Sequence, residues 1–309
     1  FPESHSASFA VIAYVSAWLK LYYPLEFYCA LLNSHPMGFY STSQLLQDAK
    51  RHNVRILAIC INYSFYDHVL ENNDGEYALR LGFRLVKGVS EQGVERLLAK
   101  RLSLKTAFTS INQIKKIGLS STDIAALASA NAFFAITGNR YSARWSLMSK
   151  EAELPLFADV ELQTNYQYKP SELDSLVEDY QATGITLHKH PITLLREANL
   201  LGRYSSAKDL NSIANKTMVT VVGVDTGRQS PGTASGVTFM TLEDDTGNMN
   251  VVVWLATARA QKKSFLQANI LQVKGILERE GDVIHIIAGQ LNDLSNKLDD
   301  LRVESRDFH

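Results

Sequence analysis

The stretch Val237-Thr238-Phe239-Met240-Thr241-Leu242-Glu243-Asp244-Asp245-Thr246-Gly247-Asn248-Met249-Asn250-Val251-Val252-Val253-Trp254 decides the C-terminal fold. Its first six residues alternate with period two. Glu243 to Gly247 reads as a turn, and Met249 to Trp254 as a second strand. Working outward, Met218–Asp225 is a strand, followed by a loop that holds Gly227 and Arg228. Ala256–Leu266 is helical. Residues 270–280 and 283–294 form a last hairpin about Glu280-Gly281-Asp282. Three strands, a helix and two more strands is the order of a five-stranded OB-fold barrel, which binds oligonucleotides on strands 2 and 3 and the neighbouring loops. Arg228 at a loop edge is a candidate cation. Phe239 and Trp254 either stack on bases of a single strand or fill the core.

Farther upstream the charge is uneven. The chain of 309 residues has a net charge of −1. Yet residues 80–150 hold 12 basic and 3 acidic side chains, the footprint of a polyanion or a basic surface kept for solubility. The same region repeats a pattern. Gly88-Val89-Ser90 with Val94 and Leu97 recurs thirty residues on as Gly118-Leu119-Ser120 with Ile124 and Leu127. Each glycine lets backbone approach a phosphate, and each serine caps a helix whose free N–H groups point at the anion. Lys87 precedes one glycine, and Lys115 and Lys116 the other. Residues 67–82 read as a hairpin turning at Asn73-Asp74-Gly75.

Residues 1–60 read as three helices and an extended segment. The first helix, Ser8–Tyr22, is apolar all round and so expected to be buried. Pro24 starts the second, which ends near Asn33. Ser41 or Ser43 caps the third, and Val54–Ile61 is extended. Ser171–Tyr180 is helical. His188-Lys189-His190-Pro191 lacks a third metal ligand nearby, and Pro191 reads as a helix start. Composition is that of a folded protein: 46% hydrophobic, 20% charged, mean hydropathy −0.09. Cys29 and Cys60 read as buried thiols of a reducing, cytoplasmic compartment. Lys20, Pro24 and Glu26 interrupt the apolar N-terminal stretch, which argues against a membrane span. The opening at Phe1 reads as a cut from a longer protein. The fold class is α+β, in several domains.

Longer motifs carry a resemblance. Phe1-Pro2-Glu3-Ser4-His5-Ser6-Ala7-Ser8-Phe9-Ala10, Tyr14, Trp18-Leu19-Lys20, Tyr23-Pro24 and Phe27 resemble the end of the fingers region of bacterial DNA polymerase III alpha subunits. His35-Pro36-Met37-Gly38-Phe39-Tyr40, the helix from Gln44 to His52, the run Leu79 to Gly88 and the ending Ser305-Arg306-Asp307-Phe308-His309 resemble its error-prone, ImuC-type branch, the translesion polymerase of the mutasome. The resemblance implies an end-of-fingers segment (1–66), a hairpin with a tandem helix-hairpin-helix domain on duplex DNA (67–150), a connector (151–215), an OB domain near single-stranded template (216–294) and a tail (295–309). Ser90 and Ser120 stand where the family has a second glycine.

The family's catalytic aspartates, with two Mg2+ ions, lie in an upstream palm. No paired-aspartate strand motif occurs here, since Asp244-Asp245 reads as a solvated turn. This chain alone is therefore expected to be inactive and to need no cofactor. Accessory mutasome proteins are implied partners. Leu154, Leu156 and Phe157, preceded by Glu153, resemble a sliding-clamp-binding peptide whose usual glutamine is replaced. The alternative is a stand-alone nucleic-acid-binding module with the same two domains.

Overall fold

The computed structural model describes residues 3–37, 41–73, 75–148, 171–231, 236–281 and 283–298, and the chain divides into two compact units. The first comprises residues 1–170 and 177–187. It opens with α1 (Glu3–Tyr22), α2 (Pro24–Asn33) and α3 (Thr42–Arg51). α1 starts five residues before the expected Ser8, and the expectation that it is buried is overturned. None of its residues is buried, and Tyr14 and Leu21 are about 70% exposed. Periodicity shows that a helix has no polar face; it does not supply a surface to cover it. α1 is tied down near its C-terminal end, where Lys20 Nζ lies 2.6 Å from Asp48 of α3 and the Trp18 ring meets Tyr22 and Tyr23.

α2 begins at Pro24, whose missing N–H costs nothing in a first turn. Its Tyr28 hydroxyl donates to Asp48 at 2.6 Å. Burial first, and the neighbouring carboxylate second, push that hydroxyl above its ordinary value. Ser41, rather than Ser43, caps α3 in a capping box with Gln44. Cys29 is buried, but Cys60 is only partly so.

Of the expected extended run 54–61, only β1 (Ile56–Leu57) is strand, parallel to β3 (Glu76–Arg80). Beyond it the backbone finds other partners: Ile61 N donates to Ala132 O, and Ser64 N closes a turn on Cys60 O. The expected hairpin forms, with β2 (Val69–Asn73) antiparallel to β3. Then come α4 (Glu91–Leu104), α5 (Ile111–Lys115), α6 (Ser121–Ser129), α7 (Phe134–Thr137), α8 (Arg140–Met148) and α9 (Glu172–Thr183). One core joins α2 to α8 and the small sheet through Tyr28, Leu79, Phe83, Leu97, Ile114 and Phe133. Arg140, 2% exposed, pairs with Asp179 at 2.5 Å and donates to Ser129 O; Arg144 pairs with Glu178.

The second unit comprises residues 171–176 and 188–309. His190 caps α10 (Pro191–Glu197), accepting from Ile192 N through Nδ1. The strands β4 (Met218–Gln229), β5 (Val237–Glu243), β6 (Asn248–Trp254), β7 (Ile270–Glu280) and β8 (Val283–Asp293) close a barrel in the order β4-β5-β6-β8-β7. β6 and β8 pair in parallel, and the other neighbours are antiparallel. This is the five-stranded OB-fold expected from the alternation. Its interior is Val221, Met240, Leu242, Val251, Val273, Leu277 and Ile286.

β4 is longer than expected, because a bulge between Asp225 and Gly227 lets pairing with β5 continue to Gln229. The expected helix 256–266 is two, α11 (Leu255–Ala260) and α12 (Lys262–Gln267). Gln261 breaks it: its side-chain amide donates to Gly289 O and accepts from Leu291 N, both on β8. Asp244 is not solvated but 2% exposed, accepting from the N–H groups of Ala207, Thr246 and Gly247.

Candidate nucleic-acid interface

The two glycine turns of the first unit have the backbone the repeat requires. Gly88 and Gly118 have φ of +85° and +74°, a region that favours glycine. Ser90 and Ser120 cap α4 and α6, each accepting the N–H of the third residue on, Gly93 and Asp123. Nothing lies within 4 Å of a Cβ built on Gly118, and only Ala126 Cβ, at 4.0 Å, near one on Gly88. Both turns therefore have room for a close backbone approach. Val89 is half-buried against the core.

The structure brings the two turns together through a residue that sequence reasoning missed. Asp123, 4% exposed, accepts from Ser90 N at 2.7 Å, from Ser120 Oγ at 2.6 Å and from Ser90 Oγ at 3.2 Å. Burial pushes its carboxyl up, but the bonds from Ser120 and Ser90 outweigh this and hold it below the usual carboxylate range. A Cβ at Gly93 would lie 2.6 Å from the Asp123 carboxylate, so the first repeat has glycine where the second has aspartate. The Ser-x-x-Asp spacing was the available signal, but it marks a local cap and cannot show that one carboxylate serves two.

Five of the twelve basic side chains are tied to groups of the fold itself. Arg80 pairs with Glu71, and Arg84 with Asp67; Arg140 and Arg144 hold α9. Arg101 donates to the carbonyls of Ile61 and Ser64. Lys87 is exposed, with Nζ 3.2 Å from Tyr180 O. Lys115 is half-buried and Lys116 exposed at the end of α5. Arg96, which charge counting alone did not single out, is exposed and donates to Gly118 O at 3.3 Å, placing a guanidinium at the second turn.

On the barrel, Arg228 is not on a loop but within β4, opposite Met240. Its guanidinium donates to Asp225, Phe265 O and Ala268 O, so its hydrogen bonds go to the protein itself. Phe239 and Trp254 are not core: they are 40% and 52% exposed on strands 2 and 3. Phe239 faces Val252 and Trp254 faces Val237 in register, which makes the two rings diagonal neighbours on one outer face. Glu153, Leu154, Leu156 and Phe157 lie outside the described residues. Among the described residues no three His, Cys, Asp or Glu side chains are grouped to hold a metal ion, and no helix is long and apolar enough to cross a membrane.

Two family models match the chain: a helix-hairpin-helix motif over residues 53–143 and an OB-fold nucleic acid binding domain over residues 219–294. Proteins named error-prone DNA polymerase match over the whole chain. Those of Vibrio parahaemolyticus, Vibrio campbellii and Idiomarina loihiensis are 60%, 57% and 47% identical. The chain spans about 30% of the length of each. Among solved structures, asparaginyl-tRNA synthetase from Pyrococcus horikoshii aligns with 30% of this chain and 23% of its own, at 14% identity and a TM-score of 0.27, an overlap too small to carry an argument. With 60% identity along its full length, a helix-hairpin-helix match and an OB barrel in that order, the chain is similar to a portion, about 30% of the length, of proteins named error-prone DNA polymerase.

Proposed function

We propose that this chain is the DNA-gripping part of a polymerase that copies damaged template. In this reading the first unit holds duplex DNA. Gly88-Val89-Ser90 and Gly118 to Ser120 approach successive phosphates, while Lys87, Lys115, Lys116 and Arg96 supply charge. The barrel holds single-stranded template by stacking on Phe239 and Trp254, and Arg228 braces β4 beneath it. The observation that carries the reading is the pair of left-handed glycine turns, each opening a capped helix and joined through Asp123.

Nucleotidyl transfer, with its Mg2+ ions, belongs to palm aspartates outside this chain. Accessory mutasome proteins recruit the polymerase in the cytoplasm, and the Leu154-Leu156-Phe157 region offers a sliding clamp a weakened peptide. A stand-alone module would bind the same strands but would have no palm encoded upstream.

The test is binding of the whole chain to duplex, primer–template and single-stranded DNA as a function of salt, with primer extension assayed alongside. Duplex affinity should fall steeply with salt, with no extension above a no-protein control. A flat salt response, or extension that survives repurification, overturns the assignment.

A further inference from the structure

A cavity of about 460 Å³ opens at one end of the barrel. There the turn 244–247 and the start of β8 meet a short 3-10 turn, Asp209–Asn211. The volume lies within the usual range for small-ligand sites, roughly 300–1,000 Å³. Its chemistry is particular. Val283 and Ile284 give it apolar surface, above Leu210 and Met249, which are buried in the barrel core. Asn211, Asn248 and Asn250 put three exposed amides around that surface, none hydrogen-bonded among the described residues.

Lys208 is the one charged lining residue among those described. Among the described residues its Nζ is in no ion pair within 4 Å, and the adjacent Asp209 carboxylate accepts from Ser206 N and Oγ. Across the parallel pair, His285 lies opposite Asn250, with a buried Nδ1 that has no hydrogen-bond partner among the described residues.

An amide offers a donor and an acceptor side by side. That matches the edge of a nucleobase, as in the bidentate pairing of Asn with adenine. A flat ring would rest on the apolar surface, and a single cation at the rim suits one phosphodiester. A free nucleoside di- or triphosphate would call for more positive charge than one lysine. The place also fits. Asn248, Asn250 and Trp254 are exposed along β6, with Val252 buried between the last two. At about 3.4 Å per residue, Asn250 lies about 14 Å from Trp254 on the same face.

We propose that this cavity seats one base of a single strand, read by Asn248 and Asn250, with Lys208 on its phosphate and the neighbouring bases on Phe239 and Trp254. The inference rests on the single-strand reading of the barrel and adds to it a site that selects a base edge.

The experiment uses the whole chain and fluorescein-labelled 12-mer deoxyoligonucleotides, intact or carrying one abasic residue at each position in turn, with affinity read by anisotropy. In the unaltered protein, one abasic position beyond the stacked pair should weaken binding roughly 5- to 100-fold, the range for a base-edge contact. Asn248→Ala with Asn250→Ala should weaken the intact strand by the same factor, and the abasic strand no further. All three amides are exposed, so these changes should leave the thermal midpoint unaltered. If the double variant binds every strand as the unaltered chain does, or if the two losses multiply, the cavity holds no base. Phe239→Ala with Trp254→Ala separates the two ideas. If it abolishes binding while the asparagine variant does not, stacking stands and the cavity proposal falls. If the unaltered chain binds no single strand at low salt, the underlying reading has failed and the cavity proposal with it. Mononucleotide alone binding as tightly as the 12-mer would also overturn it, by making the cavity a free-nucleotide site.

Discussion

Replacing Asp123 by alanine should destabilise the first unit by about 3–4 kcal/mol, far more than the loss of an ordinary helix cap. The figure follows from what the carboxylate holds. It accepts one backbone N–H, from Ser90 at 2.7 Å, and two hydroxyls, from Ser120 at 2.6 Å and Ser90 at 3.2 Å, in a site only 4% exposed. A hydrogen bond to a charged group contributes about 1.5–3 kcal/mol, and a neutral one about 1 kcal/mol. The hydroxyls can rotate to other acceptors, but the part-buried Ser90 N–H is fixed by the backbone and cannot. By comparison, Ser90→Ala or Ser120→Ala should each cost about 1 kcal/mol, as for a cap.

The assay is urea unfolding in a Trp18→Phe, Trp254→Phe background, where Trp145 on α8 is the remaining tryptophan and reports on the unit. Asp123→Ala should cost at least about 1 kcal/mol less when both serines are already alanine, because the three share one network. Gly93→Ala, which puts a Cβ 2.6 Å from the carboxylate, should be tolerated only when Asp123 is gone. The folded-state carboxyl is held low, so its contribution is present above the unfolded pKa and fades as pH falls through the folded one. An Asp123→Ala cost under 1 kcal/mol, or strict additivity with the serines, would refute the shared cap.

Other outcomes follow from the same geometry. Lys116→Ala and Arg96→Ala should each weaken duplex binding alike for all sequences and reduce the salt slope by about one, whereas Arg84→Ala, an internal ion pair, should lower stability and leave the slope unchanged. His68 is buried with Nδ1 accepting from Gly82 N, and burial first, then Arg84, push its pKa down from 6.5 to about 4. The unfolded chain takes up that proton and the folded chain does not. Stability is therefore full above pH 6.5 and falls between 6.5 and 4 by up to about 3 kcal/mol, a loss that His68→Asn should flatten when unfolding is compared at pH 7 and 4.5. Gly275→Ala places a Cβ 2.2 Å from Ile287 O within the β7–β8 bulge and should cost the barrel about 2–3 kcal/mol. Gly281→Ala, in open space at φ +59°, should cost about 1 kcal/mol, both read by thermal unfolding.

What the sequence determined by itself is local. Pro24 and Pro191 start helices and Ser41, Ser90 and Ser120 cap them, because a cap bonds within three residues of itself. The barrel was legible because period two sorts Met240, Leu242, Met249, Val251 and Val253 inward without reference to anything distant. The same alternation turns Phe239 and Trp254 outward. Tertiary structure decided the rest, wherever a group's partner lies far along the chain. Arg228 looks like a free cation at a loop edge until the carbonyls of Phe265 and Ala268, 37 and 40 residues on, take its guanidinium. Gln261 sits in a helical pattern until β8, about 30 residues away, claims its amide. Twelve basic residues in 80–150 read as a polyanion footprint, but folding brings Glu71, Asp67, Glu178 and Asp179 to four of them. Asp123 is a cap in sequence and a junction in space, because only the folded chain carries Ser90 across 33 residues to the same carboxylate.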